Sequence, residues 1–280
     1  MKLDRYYYDK MNAEEKSVYD AIKSAVESGK ETVAVRTNLS IDDICVVYTY
    51  IFNDNPQWLD VSPRISFSYR GNEFIFNIER IYSQDEVNKA KKFFIEIVKE
   101  INDKCNGLED YKKALYLAKI IIEKCTYGIP NVENGSIKSQ LATSVALENK
   151  TVCAGLSRAF KYVFDQLNIE CIVVNGDTIR SIVPINEKDK EQQTKEGEVD
   201  VYKALRRNYT SIKDKVSSEN KVNYIAHAWN VAKIDGKYLA IDVNATQNAN
   251  EDYEFRRLYN FCVPQKDLVG YIWNEKITPK

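Results

Sequence analysis

Apolar residues recur at helical spacing from the start of the chain. Val18, Ile22, Ala25 and Val26 mark one face of a helix over about residues 13–28, closed by Gly29. Thr32 to Arg36 reads as a short strand. Ser40-Ile41-Asp42-Asp43 has the form of a helix start, a serine cap with acids in the first turn, and the apolar run behind it breaks at Asn53-Asp54-Asn55-Pro56. The period then changes from helical to alternating. Ile65, Phe67 and Tyr69 alternate with polar residues, as do Phe74, Phe76 and Ile78 beyond Gly71-Asn72, so a hairpin over 64–79 is predicted. With a two-residue turn, paired positions sum to 143, and all six large side chains share one face.

Helices are predicted next at 84–104 and 109–125, separated by Asn106-Gly107. Val152, Leu156, Ala159, Phe160, Val163, Phe164 and Leu167 form a single apolar stripe, which predicts a helix over 152–167. Residues 170–176 follow as a short buried strand ending at Gly176. From about 186 to 223 the chain is densely charged and lacks an apolar period; it reads as a surface insertion, helical around 199–214, either a solvated excursion or a lid. Asp235-Gly236 between two apolar runs then signals a second two-residue hairpin, whose paired positions sum to 471. No internal repeat or low-complexity tract occurs.

Composition narrows the function classes. Lysine and arginine number 40 against 41 acids in 280 residues, so there is no field to recruit nucleic acid or an anionic membrane. No apolar run approaches the ~20 residues that span a bilayer, and the first residues do not resemble an export signal. The expected location is therefore the cytoplasm, or the cell exterior if a signal has been removed. Six cysteines are scattered without a Cys-x-x-Cys pair and there is one histidine, so neither a metal site nor a cofactor is expected. The sequence carries no signal of oligomeric state.

The single histidine, His227, directs the chemistry, because histidine is the side chain that titrates near neutral pH without perturbation. Across the second hairpin, Asp242 lies opposite Trp229 and is therefore a diagonal neighbour of His227 on the same face, where side chains meet over roughly 7–8 Å. A histidine with an orienting carboxylate needs a nucleophile. Cys153 is the candidate, since it stands at the start of the 152–167 helix, where free N–H groups and the positive end of the dipole favour a thiolate. Gly155 is expected to leave open space beside the sulfur for a substrate carbonyl. Each residue alone has a plainer reading, as a buried thiol, a structural histidine or a turn-capping aspartate. Their conjunction has the layout of a cysteine, histidine and aspartate triad.

The segments Thr151-Val152-Cys153-Ala154-Gly155-Leu156-Ser157-Arg158-Ala159-Phe160, residues 167–176, His227-Ala228-Trp229-Asn230 and Ile241-Asp242-Val243 resemble, in that order, the bacterial transglutaminase-like superfamily. The resemblance is best over about 84–264. It implies an α+β, papain-like core in which the nucleophile helix packs on an antiparallel sheet, with 84–280 as the catalytic domain and 1–83 as a small α+β N-terminal region. It also implies Cys153 as nucleophile, His227 as base and later acid, and Asp242 as orienting group. Gln140 is a candidate oxyanion donor, its alternative being an ordinary loop amide, and Trp229 a candidate substrate contact. Departures occur at Leu156, where an aromatic residue is common, at Val243-Asn244-Ala245-Thr246, where a tryptophan is, and in the longer stretch ahead of His227; they bear on specificity. The expected activity is that of a thiol enzyme on amide or peptide bonds of a protein or peptide: a peptidase, deamidase or protein-glutamine acyltransferase. The alternative is a binding or scaffold module that keeps the fold without chemistry.

Overall fold

The computed structural model describes residues 5–184, 220–244, 260–268 and 270–279. It opens with α1 (Tyr6–Lys10), α2 (Ala13–Glu27), β1 (Thr32–Arg36) and α3 (Ile41–Asp54). Local signals set the ends of these elements. Asn12 and Glu15 close a reciprocal capping box on α2, and the Ser40 hydroxyl accepts from the Asp43 N–H at the start of α3.

The first hairpin comprises β2 (Ser66–Arg70) and β3 (Glu73–Asn77), and every pair sums to 143, with Phe67 opposite Phe76 and Tyr69 opposite Phe74. Ile65 and Ile78 fall just outside the strands. β1 pairs with the other edge of β3, giving the order β1-β3-β2 and burying Phe74 and Phe76. Tyr69 lies on the uncovered edge strand and stays exposed, stacked on Phe74 at 5.4 Å.

The rest of the chain contributes α4 (Gln84–Lys104), α5 (Asp110–Lys124), β4 (Thr126–Tyr127), α6 (Gly135–Lys138), α7 (Ala142–Leu147), β5 (Lys150–Thr151) and α8 (Cys153–Gln166). There follow β6 (Cys171–Pro184), β7 (Asn220–Ile234), β8 (Lys237–Ile241), β9 (Phe261–Pro264) and β10 (Tyr271–Trp273). The last five strands form one antiparallel sheet in the order β10-β6-β7-β8-β9, and α8 packs on it. The expected α+β class, with this helix against an antiparallel sheet, is what the structure has.

β6 runs eight residues beyond the predicted end at Gly176, and β7 begins at Asn220, so 220–223 are strand paired with 181–184 rather than part of an insertion. Residues 185–219, including the predicted helix at 199–214 and any lid, lie outside the described residues. Gly176 serves close packing rather than termination. A Cβ there would lie 2.5 Å from the Trp229 ring and 2.3 Å from the Ile272 carbonyl oxygen. The Trp229 ring occupies the space a side chain at 176 would take.

The turn between β7 and β8 has positive φ at both Asp235 (48°) and Gly236 (83°), the conformation that matches strand twist. Asp235 also reaches away from its hairpin, since its carboxylate accepts from the Asp110 and Tyr111 N–H groups at the start of α5. The turn thus caps a helix whose own N-cap, Glu109, makes no side-chain cap.

Four polar contacts tie the layers together. The Asn230 amide donates to the Ser157 carbonyl of α8 at 2.9 Å and to the Ile172 carbonyl of β6 at 3.2 Å. Tyr7 and Asn53 both donate to the Val173 carbonyl, at 2.6 and 3.2 Å, docking α1 and α3 against β6. One buried apolar cluster runs from Tyr6 through Phe52, Phe94 and Phe160 to Trp273, drawing on residues from both sides of position 83.

Replacing Gly176 by alanine forces the Trp229 ring or the β10 backbone to shift. Overpacking of this kind costs about 1–3 kcal/mol, and the thermal midpoint should fall by roughly 5 °C. A Gly176→Ala midpoint equal to that of the parent in differential scanning fluorimetry contradicts this packing.

Candidate active site

The register of the second hairpin places His227 and Asp242 together. β7 and β8 pair with positions summing to 471, as far as Asn230 opposite Ile241. Asp242 is the first residue past β8, so it sits beside the β7 edge one diagonal step from His227. Their side chains meet with His227 Nε2 at 2.6 Å from Asp242 Oδ2, and both are buried. Asp242 is further held by donors from two elements. Tyr271 of β10 gives its hydroxyl to Oδ2 at 2.5 Å, the Asn244 N–H donates to Oδ1 at 3.0 Å, and Asn260 in turn donates to the Tyr271 oxygen at 3.0 Å. The carboxylate thus anchors Nε2, which leaves Nδ1 as the ring nitrogen that serves a partner on the other side.

That partner is Cys153, the first residue of α8. Its sulfur lies within reach of the His227 ring and of the Ala228 N–H, just past the point where β8 stops pairing with β7, and both act on the thiol. Cys153, Ala154, Val173 and Ala228 form a small buried cluster of their own, and the methyl of Ala228 lets the start of α8 approach the strand. Burial by itself raises the thiol, but the hydrogen bond and charge of His227 outweigh it, and Cys153 ends below the ordinary thiol range. Burial by itself lowers the imidazole, yet the charge and hydrogen bond of Asp242, helped by Cys153, carry His227 well above its usual value. Opposite shifts in two neighbouring groups mean that each favours the charged form of the other. The positive end of the α8 dipole acts in the same direction.

Four other thiols are shifted the opposite way. Burial pushes Cys45 up to about 11, and Cys125 and Cys262 up to about 12. Cys171, wholly enclosed, is also driven upward by burial.

The other predicted site residues fall elsewhere. A Cβ on Gly155 would lie 2.1 Å from Thr151 Oγ1 and 2.5 Å from the Ser139 carbonyl oxygen, so this glycine admits backbone into close contact and opens no space for a carbonyl. The Gln140 amide donates to the Ser136 carbonyl at 3.3 Å, and the Gln140 carbonyl accepts from Arg158; it is a loop amide that braces α8. Trp229 is 1% exposed and packs beneath the imidazole, with ring centroids 6.0 Å apart and Tyr271 and Trp273 edge-on against it. It supports His227 and offers a substrate no surface. Among the described residues, no group of three histidine, cysteine, aspartate or glutamate side chains is placed to hold a metal ion, and no helix is long and apolar enough to cross a membrane.

Tyr127 is a member of the site that sequence patterning does not reach. Its hydroxyl lies within reach of the Cys153 sulfur and backbone N–H, and both act on it. Tyr271 and Asn260, which arrange Asp242, are likewise invisible to periodicity, because they come from the far C-terminal segment.

No family model matches the chain, and no curated protein matches it. Among solved structures it is similar to a transglutaminase (TGase), at 10% identity and a TM-score of 0.38, over 79% of this chain and 52% of that one. It is also similar to a candidate cysteine protease of Cytophaga hutchinsonii, at 12% identity and a TM-score of 0.31, over 65% and 63% of the two chains. A third, a candidate protease of Parabacteroides distasonis, has 8% identity and a TM-score of 0.28, over 64% and 35%. The chain thus spans less than two thirds of the length of each.

At pH 6 an ordinary thiol is well under 1% thiolate, given a pKa of about 8.5. Iodoacetamide at that pH should alkylate Cys153 faster than the other five cysteines, and the preference should disappear in His227→Ala; peptide mapping by mass spectrometry reads both. The reactivity should persist below the ordinary thiol range and fall away only as pH drops through the depressed value. Uniform slow labelling of all six contradicts the pair.

Proposed function

We propose that this chain is a thiol enzyme acting on amide or peptide bonds of a protein or peptide through a thioester at Cys153. The observation that supports this most directly is the buried His227 Nε2 to Asp242 Oδ2 contact of 2.6 Å, with the ring also within reach of the Cys153 sulfur at a helix start.

Each step follows from where the protons reside. The thiolate attacks the carbonyl carbon, and the carbon–oxygen π pair moves to oxygen. His227, already protonated, gives its Nδ1 proton to the departing nitrogen as the carbonyl re-forms, leaving the acyl group on sulfur. A second nucleophile then enters. His227, now neutral, takes its proton, and the thiolate leaves as the imidazolium is restored. Asp242 holds the ring in one orientation and stabilises the imidazolium without taking its proton. Water as the second nucleophile gives peptidase or deamidase action; an amine gives acyl transfer to that amine.

Glutamine-containing peptides, incubated with and without a primary amine, separate these outcomes by ammonia release and by incorporated amine. Cys153→Ala should abolish both, and Asp242→Asn should slow either by more than about 100-fold, because removing the orienting carboxylate leaves the wrong tautomer favoured. An Asp242→Asn enzyme of parental rate contradicts the assigned role. Turnover by Cys153→Ala contradicts the reaction class.

A further inference from the structure

Two very short strands hold a phenol against the reactive sulfur. β4 and β5 run parallel, with Tyr127 in register with Thr151, two residues ahead of Cys153. The Thr126 N–H donates to the Asn149 carbonyl at 3.0 Å and the Gly128 N–H to the Thr151 carbonyl at 2.8 Å, so the Tyr127 backbone is pinned on both sides. This register brings the Tyr127 hydroxyl within reach of the Cys153 sulfur and backbone N–H, both of which act on the phenol. The residue is 39% exposed, whereas Cys153 is 8% exposed, so the phenol is the more solvent-accessible of the two.

We propose that Tyr127 is a further catalytic residue, whose hydroxyl forms with the Cys153 backbone N–H the site that receives the oxyanion of the tetrahedral intermediate. This rests on the thiol-enzyme reading above. Attack by the sulfur forms the carbon–sulfur bond and moves negative charge from sulfur to the carbonyl oxygen, which then needs donors that are already in place. The Cys153 N–H is one, because the first amides of a helix have no partner within it. In the resting site the phenol oxygen accepts that N–H, and the phenol proton is given to the charged sulfur. Once sulfur is bonded to carbon, it no longer competes for that proton. The phenol then turns its O–H to the new oxyanion, which also takes over the Cys153 N–H. Collapse returns the electron pair to the carbonyl and expels the nitrogen with the proton from His227; the phenol keeps its own.

Among the described residues, the two other donors the sequence suggests do not fill this role. The Gln140 amide is engaged by Ser136, and the Trp229 indole lies buried under the imidazole. Burial, together with the charge of Cys153, holds the phenol of Tyr127 up at about 12, so it remains a neutral donor wherever the thiolate is active.

Two electrophiles separate oxyanion stabilisation from every other role of this ring. Acetylation of Cys153 by p-nitrophenyl acetate passes through a tetrahedral oxyanion, whereas alkylation by iodoacetamide does not. Both rates are measured for the parent and Tyr127→Phe on the plateau of the alkylation pH profile, with the Cys153→Ala background subtracted. The proposal predicts that Tyr127→Phe acetylates roughly 100-fold more slowly, as for loss of one oxyanion donor, while alkylation changes less than about threefold. Equal losses in both rates overturn it, since the ring would then serve the thiolate or the fold. Unchanged acetylation also overturns it, and faster acetylation would make the phenol an obstacle to substrate. If the parent enzyme neither acetylates Cys153 nor alkylates it ahead of the other cysteines, the thiol-enzyme reading fails as well.

Discussion

The contact between His227 and Asp242 is the constraint from which the rest of the site is arranged. It joins a strand residue to the first residue beyond the neighbouring strand, so its existence depends on a register, and the register depends on two turn residues with positive φ, Asp235 and Gly236. A slip of one residue would carry His227 to the opposite face of β7 and away from Asp242. The same Asp235 carboxylate caps α5, coupling the register to the helical layer. Turn geometry, strand pairing and a helix cap thus converge on one hydrogen bond.

Around that bond the structure is built in layers, each fixing the next. Trp229 supports the imidazole from below and needs the missing side chain of Gly176 to lie there. Tyr271 and the Asn244 amide hold the carboxylate. Asn230, on the other face of β7, bolts α8 to the sheet, and Gly155 lets the start of α8 sink against the loop at Ser139 and Leu141, which sets the height of Cys153. A thiolate and an imidazolium would both be costly to bury alone. Together, with Asp242 behind them, each stabilises the charged form of the other.

Legibility in the sequence followed interaction range. The register of both hairpins is readable in the sequence, because a two-residue turn converts spacing into register, although Ile65 and Ile78 fall outside the first hairpin's strands; the second brings His227 and Asp242 together. Helix starts at Ser40 and at Cys153 were readable from caps and apolar stripes. Glycines are readable as special but not as to why: by pattern Gly176 reads as a strand end and Gly155 as open space, whereas both make room for a neighbour that arrives from elsewhere in the chain. Tyr127 was beyond reach because a two-residue strand has no period to detect, and nothing local says that residue 127 lies beside residue 153. Tyr271 is a comparable case, 29 residues beyond the carboxylate it holds.

Because the chain has one histidine, its charge state can be read without assignment ambiguity. A long-range proton–nitrogen correlation spectrum of the imidazole, followed from pH 5 to 9, tests the thiolate–imidazolium pair directly. Both ring nitrogens of His227 should remain protonated well above pH 7, and Cys153→Ser should move the titration to lower pH by removing the anion. A parental His227 that is already neutral at pH 7, with a titration near its ordinary value of about 6.5, would contradict that pair.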